Sequence, residues 1–304
     1  MNHPLKSGWP YSAALRWGIT QVGRRLRDRA RAIGAELAFS HDGIRVTVNG
    51  RDVWFPLGQA SLVWTILGMF SDFERRLVFD EGRPRPTADC RAPTWYRIPA
   101  TGDRLRLPEL PELADFCSGY LLRGKPSEGE VVFDAGAYCG EMTIVFARLV
   151  GGRGRVFAFE PDPANAEFLE ANVAAAGLRN VVVLRRGLWR TSGRLAFHGG
   201  GGLGSHLEPG ASNAEVEVLG LEEAAEIAGT APGFVKMDIE GAEVDTIEGS
   251  LEFIARQSIR FAIASYHLRE NRPTSSLLEE LFRRVGYQVE TGYPEHLTTW
   301  AWRG

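Results

Sequence analysis

From about residue 130 onwards, short apolar runs rich in β-branched residues alternate with stretches of helical periodicity. Residues 131–133 and 155–159 are predicted strands, and residues 163–176 are a predicted helix. Strands that alternate with helices in this way form a mainly parallel, doubly wound sheet. Ligands bind such a sheet at the carboxyl ends of its strands. The sequence therefore predicts an α/β fold whose functional residues directly follow the strands.

The N-terminal third has a different pattern, typical of an α+β extension. Residues 5–37 are a predicted helix with an arginine-rich face, which either covers the protein body or docks on a membrane surface or a partner. Asn49-Gly50 separates two short alternating runs and predicts a hairpin. Residues 61–80 are a predicted helix, and the proline-rich residues 81–111 are predicted to be irregular.

Composition excludes several classes of protein. The net charge of −3 gives no reason to expect nucleic-acid binding. The three cysteines are widely spaced and odd in number, so they predict neither a disulfide framework nor a metal knuckle. No run approaches the length of a transmembrane helix, and the N-terminus lacks the order of a signal peptide. We therefore expect a cytoplasmic protein.

The first chemical motif follows the first predicted strand of the α/β region, where Asp134 precedes two glycines, Gly136 and Gly140. Glycine lets the backbone approach a ligand closely, and a helix beginning at Glu141 presents free N–H groups to a carboxylate. A cofactor with an amino-acid group also offers an ammonium to Asp134. We predict that these residues and Tyr138 bind the cofactor, although a tight turn without a ligand would look similar.

The second motif, Glu160-Pro161, ends the next predicted strand. An acidic residue there can accept hydrogen bonds from both hydroxyls of a ribose. Dinucleotide sites have the spacing G-x-G-x-x-G, whereas this chain has G-x-x-x-G and lacks the third glycine. The two motifs therefore favour S-adenosylmethionine (SAM) over a nicotinamide dinucleotide, with Glu160 and Pro161 among the cofactor-binding residues.

The third motif places Lys236, Asp238 and Glu240 on one face of a predicted buried strand. Burying ionisable side chains without partners is costly, so the pattern needs a reason. Ion pairing of Lys236 with a carboxylate and direct participation in an active site both remain open. Glu243 follows in the first helical turn, where an acidic side chain favours the helix dipole.

Together the three motifs resemble the FkbM family of SAM-dependent methyltransferases, over roughly residues 126–270. The segment from Lys236 to Glu243 carries the most specific part of the likeness. The resemblance implies a class I, Rossmann-like fold with a seven-stranded sheet, SAM as cofactor, and usually O-methylation of a secondary metabolite, sugar or related small molecule. Tyr138 departs from the asparagine common in the family, and Leu219-Gly220 departs from the common Leu-Asp.

On this interpretation residues 126–304 are the SAM-binding methyltransferase domain, and residues 1–125 are an extension that could serve as a lid or recognise the substrate. The expected partner is a small-molecule acceptor, with no nucleic acid. Membrane contact through the basic N-terminal helix is a lesser alternative. The oligomeric state is open, and a homodimer is compatible with the sequence.

Further candidates follow other predicted strands. His267 is the first choice for a general base, with Glu240 and Asp238 next, because imidazole titrates near neutral pH. A histidine that only packs is the alternative. Gly187 and Leu188 are predicted to contact adenine. Trp189 either covers the base or belongs to the core. The glycine-rich segment that continues to Ser205 and His206 is a candidate substrate loop.

Asp238, Glu240 and His267 could also hold Mg²⁺ or a transition metal. A single short cluster without a second acidic pair is weak support, so we predict no bound metal. An N-methyltransferase and a noncatalytic SAM-binding module remain the rival functions.

Overall fold

The computed structural model describes residues 23–112, 116–198, 206–207, 214–269 and 272–303. The described residues up to 97, together with 109–112, form one compact unit. Residues 98–108 and those from 116 onwards form the other. The structural division therefore lies before the predicted boundary at residue 125.

The first unit contains a helix, a small sheet and two further short helices. Its elements are α1 (residues 23–32), β1 (Glu36–Ser40), β2 (Gly43–Val48), β3 (Arg51–Phe55), α2 (Ala60–Gly68), α3 (Phe70–Arg76), β4 (Thr87–Asp89) and β5 (Thr94–Arg97). Strands β1 to β4 form one sheet in chain order. The predicted hairpin is confirmed, since Val48 lies opposite Arg51 and both turn residues have positive φ, 52° at Asn49 and 74° at Gly50.

Three predictions for this unit need correction within the described residues. Helix α1 ends before Gly34, whose φ of 70° closes a helix C-terminus, so Leu37 lies in a strand and not in the predicted helix. Residues 5–22 of that prediction lie outside the described residues. The predicted helix at 61–80 is two helices that meet at Met69, where φ is −126° and ψ is 31°. The region predicted to be irregular, 81–111, contains short strands.

The second unit alternates strands and helices. In chain order, its elements up to residue 219 are β6 (Arg104–Leu107), α4 (Phe116–Leu121), β7 (Val131–Ala135), α5 (Glu141–Val150), β8 (Arg155–Phe159), α6 (Pro163–Ala175), β9 (Val181–Leu184), β10 (Gly187–Leu188), β11 (Gly193–His198), β12 (His206–Leu207) and β13 (Ala214–Leu219). The remaining elements are α7 (Leu221–Ala228), β14 (Phe234–Met237), α8 (Glu243–Gly249), α9 (Leu251–Ala255), β15 (Arg260–Ala264), β16 (Leu268–Arg269), β17 (Arg272–Pro273), α10 (Thr274–Arg284), β18 (Gln288–Gly292) and β19 (Thr298–Trp302).

Seven strands of this unit form one sheet in the order β18-β19-β15-β14-β7-β8-β9. The five strands from β15 to β9 run parallel to their neighbours, whereas β19 is antiparallel to both β15 and β18. This arrangement confirms the predicted doubly wound, mainly parallel seven-stranded α/β sheet. The carboxyl ends of β7, β8, β14 and β15 consequently meet at one edge.

Alternating residues of the central strands pack on opposite faces of the sheet. Phe133 and Phe159 belong to the large buried cluster that includes residues of α7, α8 and α10. Ala158 instead packs with Leu169 and Val173 of α6. Asp134 lies beside Ala158 in the strand register, and Lys236 lies beside Asp134. The two charged residues therefore share the face covered by α6.

Two local features of the second unit were not predicted. A second sheet has the order β10-β13-β11-β12. The helical stretch after β14 is divided into two short helices, α8 and α9, around Ser250. Gly249, at the end of α8, packs closely against another segment, because a Cβ there would lie 2.3 Å from the carbonyl oxygen of Arg190.

No described helix is both long and apolar enough to span a bilayer. Cys90, Cys117 and Cys139 form no disulfide bond within the described part of the chain.

Candidate active site

Asp134 lies at the end of β7 with its side chain fully buried. Its Oδ2 accepts a hydrogen bond of 2.6 Å from Oγ1 of Thr143. Its Oδ1 lies 3.2 Å from Nζ of Lys236, within ion-pair distance. The charge of Asp134 is therefore matched inside the protein, and its predicted contact with a cofactor ammonium stays a prediction.

Lys236 ties the ends of two neighbouring strands together. Its Nζ donates hydrogen bonds to the carbonyl oxygens of Ala135, at 3.2 Å, and Gly136, at 2.6 Å, in addition to the ion pair with Asp134. The Lys236 side chain is 5% exposed, so these contacts replace water almost entirely. Of the two interpretations left open for Lys236, ion pairing is the one that the geometry supports.

Gly136 begins the loop after β7 and is wedged against the neighbouring loop. Its φ is 72°, and a Cβ at this position would lie 1.7 Å from the carbonyl oxygen of Asp238. The close approach that we attributed to a ligand is thus an approach of one strand-end loop to another. The glycine is required by the protein's own packing, whatever binds above it.

Gly140 places the start of helix α5 next to this loop. Its φ is 97°, and a Cβ would lie 2.6 Å from Cδ1 of Leu169. Helix α5 begins at Glu141, and its N-cap residue, Gly140, has no side chain that could cap the first turn. The N-terminal N–H groups are consequently suited to a carboxylate, as predicted for the amino-acid end of SAM.

Glu160 follows β8 and is only 5% exposed. Its Oε2 accepts a hydrogen bond from the backbone N–H of Tyr138 at 2.8 Å, and its Oε1 accepts one from Asp162 at 2.9 Å. Burial raises the pKa of Glu160 to about 7, although both backbone hydrogen bonds lower it. Each oxygen keeps a lone pair for a ribose hydroxyl. The half-buried Pro161 directly follows it.

Tyr138 has a φ of 49°, in the left-handed region that asparagine tolerates better than other non-glycine residues. This conformation gives a physical reason for the asparagine common in the family. Tyrosine holds the same backbone shape here, and the N–H of Tyr138 still reaches Glu160.

Three residues that the sequence analysis missed surround Asp238. Tyr120 donates a hydrogen bond to Oδ2 at 2.9 Å, and Tyr266 donates one to Oδ1 at 3.2 Å. Nε2 of His296 lies 3.7 Å from Oδ2. Burial alone would raise the pKa of Asp238, but His296, the charge of Lys236 and the Tyr120 hydroxyl hold it well below its usual range.

These neighbours differ in how far the sequence could have revealed them. Tyr266 adjoins His267 and follows a predicted strand. Tyr120 lies before β7 in α4, and His296 lies in a short 3₁₀ turn, Pro294–His296, before β19. Neither segment carries a chemical motif, so only the folded chain brings them to Asp238.

Glu240 and His267 meet beside Asp238. Nε2 of His267 lies 3.5 Å from Oε2 of Glu240, and Nδ1 lies 3.4 Å from Oε1 of the fully buried Glu243. Burial would lower the pKa of His267, but the two glutamates raise it to about 10. An imidazolium cannot accept a proton, which argues against the predicted role of His267 as the general base at neutral pH. Glu240 adopts a left-handed φ of 56°.

The remaining predicted residues lie elsewhere. Leu188 is fully buried in the main core cluster, and its predicted contact with adenine stays a prediction. Gly187 is also buried, and its backbone role stays a prediction. Trp189 packs against Val216 and Val218, as its core interpretation implies.

The predicted substrate loop is largely outside the described residues. This holds for 199–205, including Ser205, while His206 lies in β12. Its predicted part in substrate binding therefore stays a prediction.

The described geometry fits SAM at the ends of β7 and β8. The uncapped start of α5 suits a carboxylate, and the buried Glu160 carboxylate has only backbone N–H groups as its hydrogen-bond partners. A ribose diol supplies the two O–H donors that such a carboxylate can still accept. Asp238, Glu240 and His267 bring a charged cluster to the adjacent strand ends.

The seven-stranded sheet, with its reversed strand β19 and the SAM-fitting loops at its parallel strand ends, defines a class I methyltransferase fold. Residues 134–289, slightly more than half of the chain, match the model of the methyltransferase FkbM domain. The chain therefore belongs to the FkbM methyltransferase family, as the motifs predicted, and carries a SAM-dependent methyltransferase domain.

Similarity to individual proteins is more limited. Protein-L-isoaspartate O-methyltransferase 1 of Archaeoglobus fulgidus is 44% identical over 57 residues, which cover 19% of this chain and 26% of that protein. The crystal structure of methyltransferase FkbM from Methylobacillus flagellatus KT has a TM-score of 0.46 at 18% identity, over 95% of this chain and 60% of that one. A precorrin-6y C5,15-methyltransferase from Geobacter metallireducens GS-15 has a TM-score of 0.39 at 16% identity, over 59% and 83%.

Proposed function

We propose that the protein transfers the methyl group of SAM to a hydroxyl of a small molecule. The observation that carries this proposal is the convergence of Asp238, Glu240 and His267 beside the loop that fits the cofactor. The carbonyl of Asp238 touches Gly136, so the charged cluster and the cofactor loop adjoin each other. This adjacency supports a role for the carboxylates of the cluster as proton acceptors beside the methyl donor.

SAM supplies a methyl group already activated by its sulfonium. The chain has to hold the acceptor oxygen in line with the methyl carbon and sulfur, which is an effect of proximity and orientation. The oxygen–carbon bond forms as the carbon–sulfur bond breaks, and the hydroxyl proton passes to the protein. Rigid loop ends, fixed by Lys236 and Gly136, suit this task.

Glu240 is the first candidate to receive the hydroxyl proton. Its side chain is 36% exposed, compared with 23% for Asp238 and 15% for His267. Each oxygen of Asp238 already accepts a hydrogen bond from a tyrosine, and the nitrogens of His267 lie between two glutamates. His267 then positions Glu240.

N-methylation is the second candidate, because it would use the same cofactor residues. A noncatalytic SAM-binding module has no comparable support, since a cluster such as Asp238, Glu240 and His267 is not needed to hold SAM. We also propose a reducing, cytoplasmic setting, in keeping with three cysteines that form no disulfide bond among the described residues.

Replacing Glu160 with alanine is expected to weaken SAM binding about 100-fold, because two charge-assisted hydrogen bonds to ribose are lost at roughly 1.5 kcal/mol each. Isothermal titration calorimetry measures the change. Glu167, exposed on α6, provides the matched control Glu167→Ala, which should bind SAM normally. Unchanged affinity in both Glu160→Ala and Asp134→Ala would remove the cofactor assignment.

The raised pKa of Glu160 makes SAM binding dependent on pH. The carboxylate is ionised above about pH 7 and protonated below it, and only the ionised form accepts two hydrogen bonds from ribose. Affinity should therefore rise as pH increases through about 7. In Glu160→Gln this step should disappear; a profile identical to that of the unaltered protein would assign the step to another group.

Glu240→Gln is expected to reduce kcat by roughly 100-fold or more while leaving SAM affinity within a few-fold, because the variant cannot take the proton. His267→Ala should also lower turnover far more than it lowers the affinity for SAM.

The assay is mass spectrometry of small-molecule extracts incubated with SAM, in which products gain one CH₂. Glu252→Gln, at an exposed position of α9, is the control; full activity of Glu240→Gln would exclude Glu240 as the proton acceptor.

A further inference from the structure

We propose that Asp238, Glu240 and His267 bind a divalent first-row metal ion, of which Mn²⁺ is the natural probe. One ligand atom from each residue lies within 4.8 Å of the other two. Two carboxylate oxygens and one imidazole nitrogen are a donor set for Mn²⁺ and similar ions. The inference rests on the proposed function and deepens it, since the ion would lie where the acceptor hydroxyl is placed.

Glu243 supplies the second acidic group that the sequence pattern lacked. Its carboxylate is fully buried, and Oε1 lies 3.4 Å from Nδ1 of His267. Histidines that bind metals usually direct their other ring nitrogen at a carboxylate in this way. This leaves Nε2, on the side of Glu240, as the ligand atom, whose proton the incoming ion displaces into solvent. Oε2 of Glu243 has no hydrogen-bond partner among the described residues.

The nitrogens of His267 also lack ordinary partners. Both are inaccessible to water, and neither makes a hydrogen bond of good geometry within the described part of the chain. Their neighbours at 3.4 and 3.5 Å are carboxylate oxygens of Glu243 and Glu240. A separation of this size between Nε2 and Oε2 is what two ligands of one ion require, because each would lie about 2.1 Å from it.

Asp238 is oriented as a ligand should be. Tyr120 and Tyr266 each donate to one of its oxygens, which leaves each oxygen a lone pair for a cation. Ligating carboxylates are typically hydrogen-bonded in this manner. The two tyrosines thereby reduce the freedom that the carboxylate would lose on binding an ion.

The charge of the cluster favours a cation. Asp238, Glu240 and Glu243 face two imidazoles, those of His267 and His296, so the net charge of the cluster is negative whichever way the rings are protonated. Lys236, the nearest ammonium on the strand, is engaged by Asp134 and by two carbonyl oxygens. A divalent ion would balance the remaining charge and stabilise negative charge on an acceptor oxygen.

The test is a titration of the SAM-free protein, previously treated with a chelator, with Mn²⁺. Electron paramagnetic resonance follows the signal of free Mn²⁺ and gives both stoichiometry and Kd. We expect one ion per chain, and a Kd about tenfold or more weaker in Glu240→Gln and in His267→Gln. Glu240 is the most exposed of the three ligands, so Glu240→Gln is the variant least expected to disturb folding. Glu252→Gln is the matched control and should bind as the unaltered protein does.

Three results would overturn the inference: no stoichiometric binding, equal affinity in all variants, or displacement of Mn²⁺ by SAM. Displacement would show that the cluster receives the positive charge of the cofactor itself. SAM binding measured on the same preparation separates the two proposals. If SAM binds and Mn²⁺ does not, only the metal site fails; if Mn²⁺ binds and SAM does not, the proposed function fails.

Discussion

Lys236→Met is expected to lower the free energy of unfolding by about 3–5 kcal/mol, because it leaves a buried carboxylate without its counter-ion. Methionine is close to lysine in length and fills the same space. Asp134 would then retain one hydrogen bond, from Thr143, while its charge stays fully buried. Two carbonyl oxygens, of Ala135 and Gly136, would lose their donor as well. Urea denaturation followed by circular dichroism measures the loss.

The chain offers a matched control in Lys125→Met, because Lys125 is exposed. A surface substitution of this kind should change stability by no more than about 0.5 kcal/mol. The double variant Asp134→Leu/Lys236→Met removes both charges and should recover part of the loss. If Lys236→Met were as stable as the control, Asp134 would have to be uncharged in the folded protein.

Gly136→Ala is expected to abolish measurable SAM binding and to destabilise the fold by several kcal/mol. Part of the loss, about 1–2 kcal/mol, comes from placing alanine in the left-handed region. The rest comes from the new Cβ, which would lie 1.7 Å from the carbonyl oxygen of Asp238, an atom of the backbone that cannot rotate away. Calorimetry with SAM and thermal unfolding measure the two effects.

Gly177→Ala separates the two causes. Gly177 has a similar φ of 66°, but a Cβ there would have no neighbour within 4 Å. This variant should lose only the conformational part of the stability and should bind SAM normally. Equal losses of stability in Gly136→Ala and Gly177→Ala would mean that the loop at Gly136 can move away from Asp238. The close contact between the two loops would then not restrict the residue at position 136.

Local pattern was sufficient for those features that depend on neighbours in sequence. The Asn49-Gly50 hairpin follows from the conformations of two residues, and the parallel sheet follows from strand and helix periods. Glu160 and Asp238 were placed at strand ends for the same reason. The break between α8 and α9 was not predicted, and neither was the close packing of Gly249 against the backbone of Arg190, which lies far away in sequence.

The surroundings of Asp238 depended even more on distant parts of the chain. Tyr120 and His296 are separated by 176 residues, yet both lie beside the same carboxylate. Nothing in a tyrosine within a short helix, or in a histidine within a 3₁₀ turn, signals such a role. The position of His267 after a strand was predicted, but its raised pKa depends on Glu240 and on Glu243, whose side chain we had attributed only to the helix dipole.

Because Gly136 contacts the carbonyl of Asp238, the sequences of the two loops are expected to change together during evolution. A substitution that shifts the backbone of one loop requires a compensating substitution in the other loop. Substitutions that change which acceptor is methylated are therefore expected in segments that take no part in the contact between Gly136 and Asp238. The exposed Leu268, which follows His267, is a position where such diversification would leave the methyl-donor loop undisturbed.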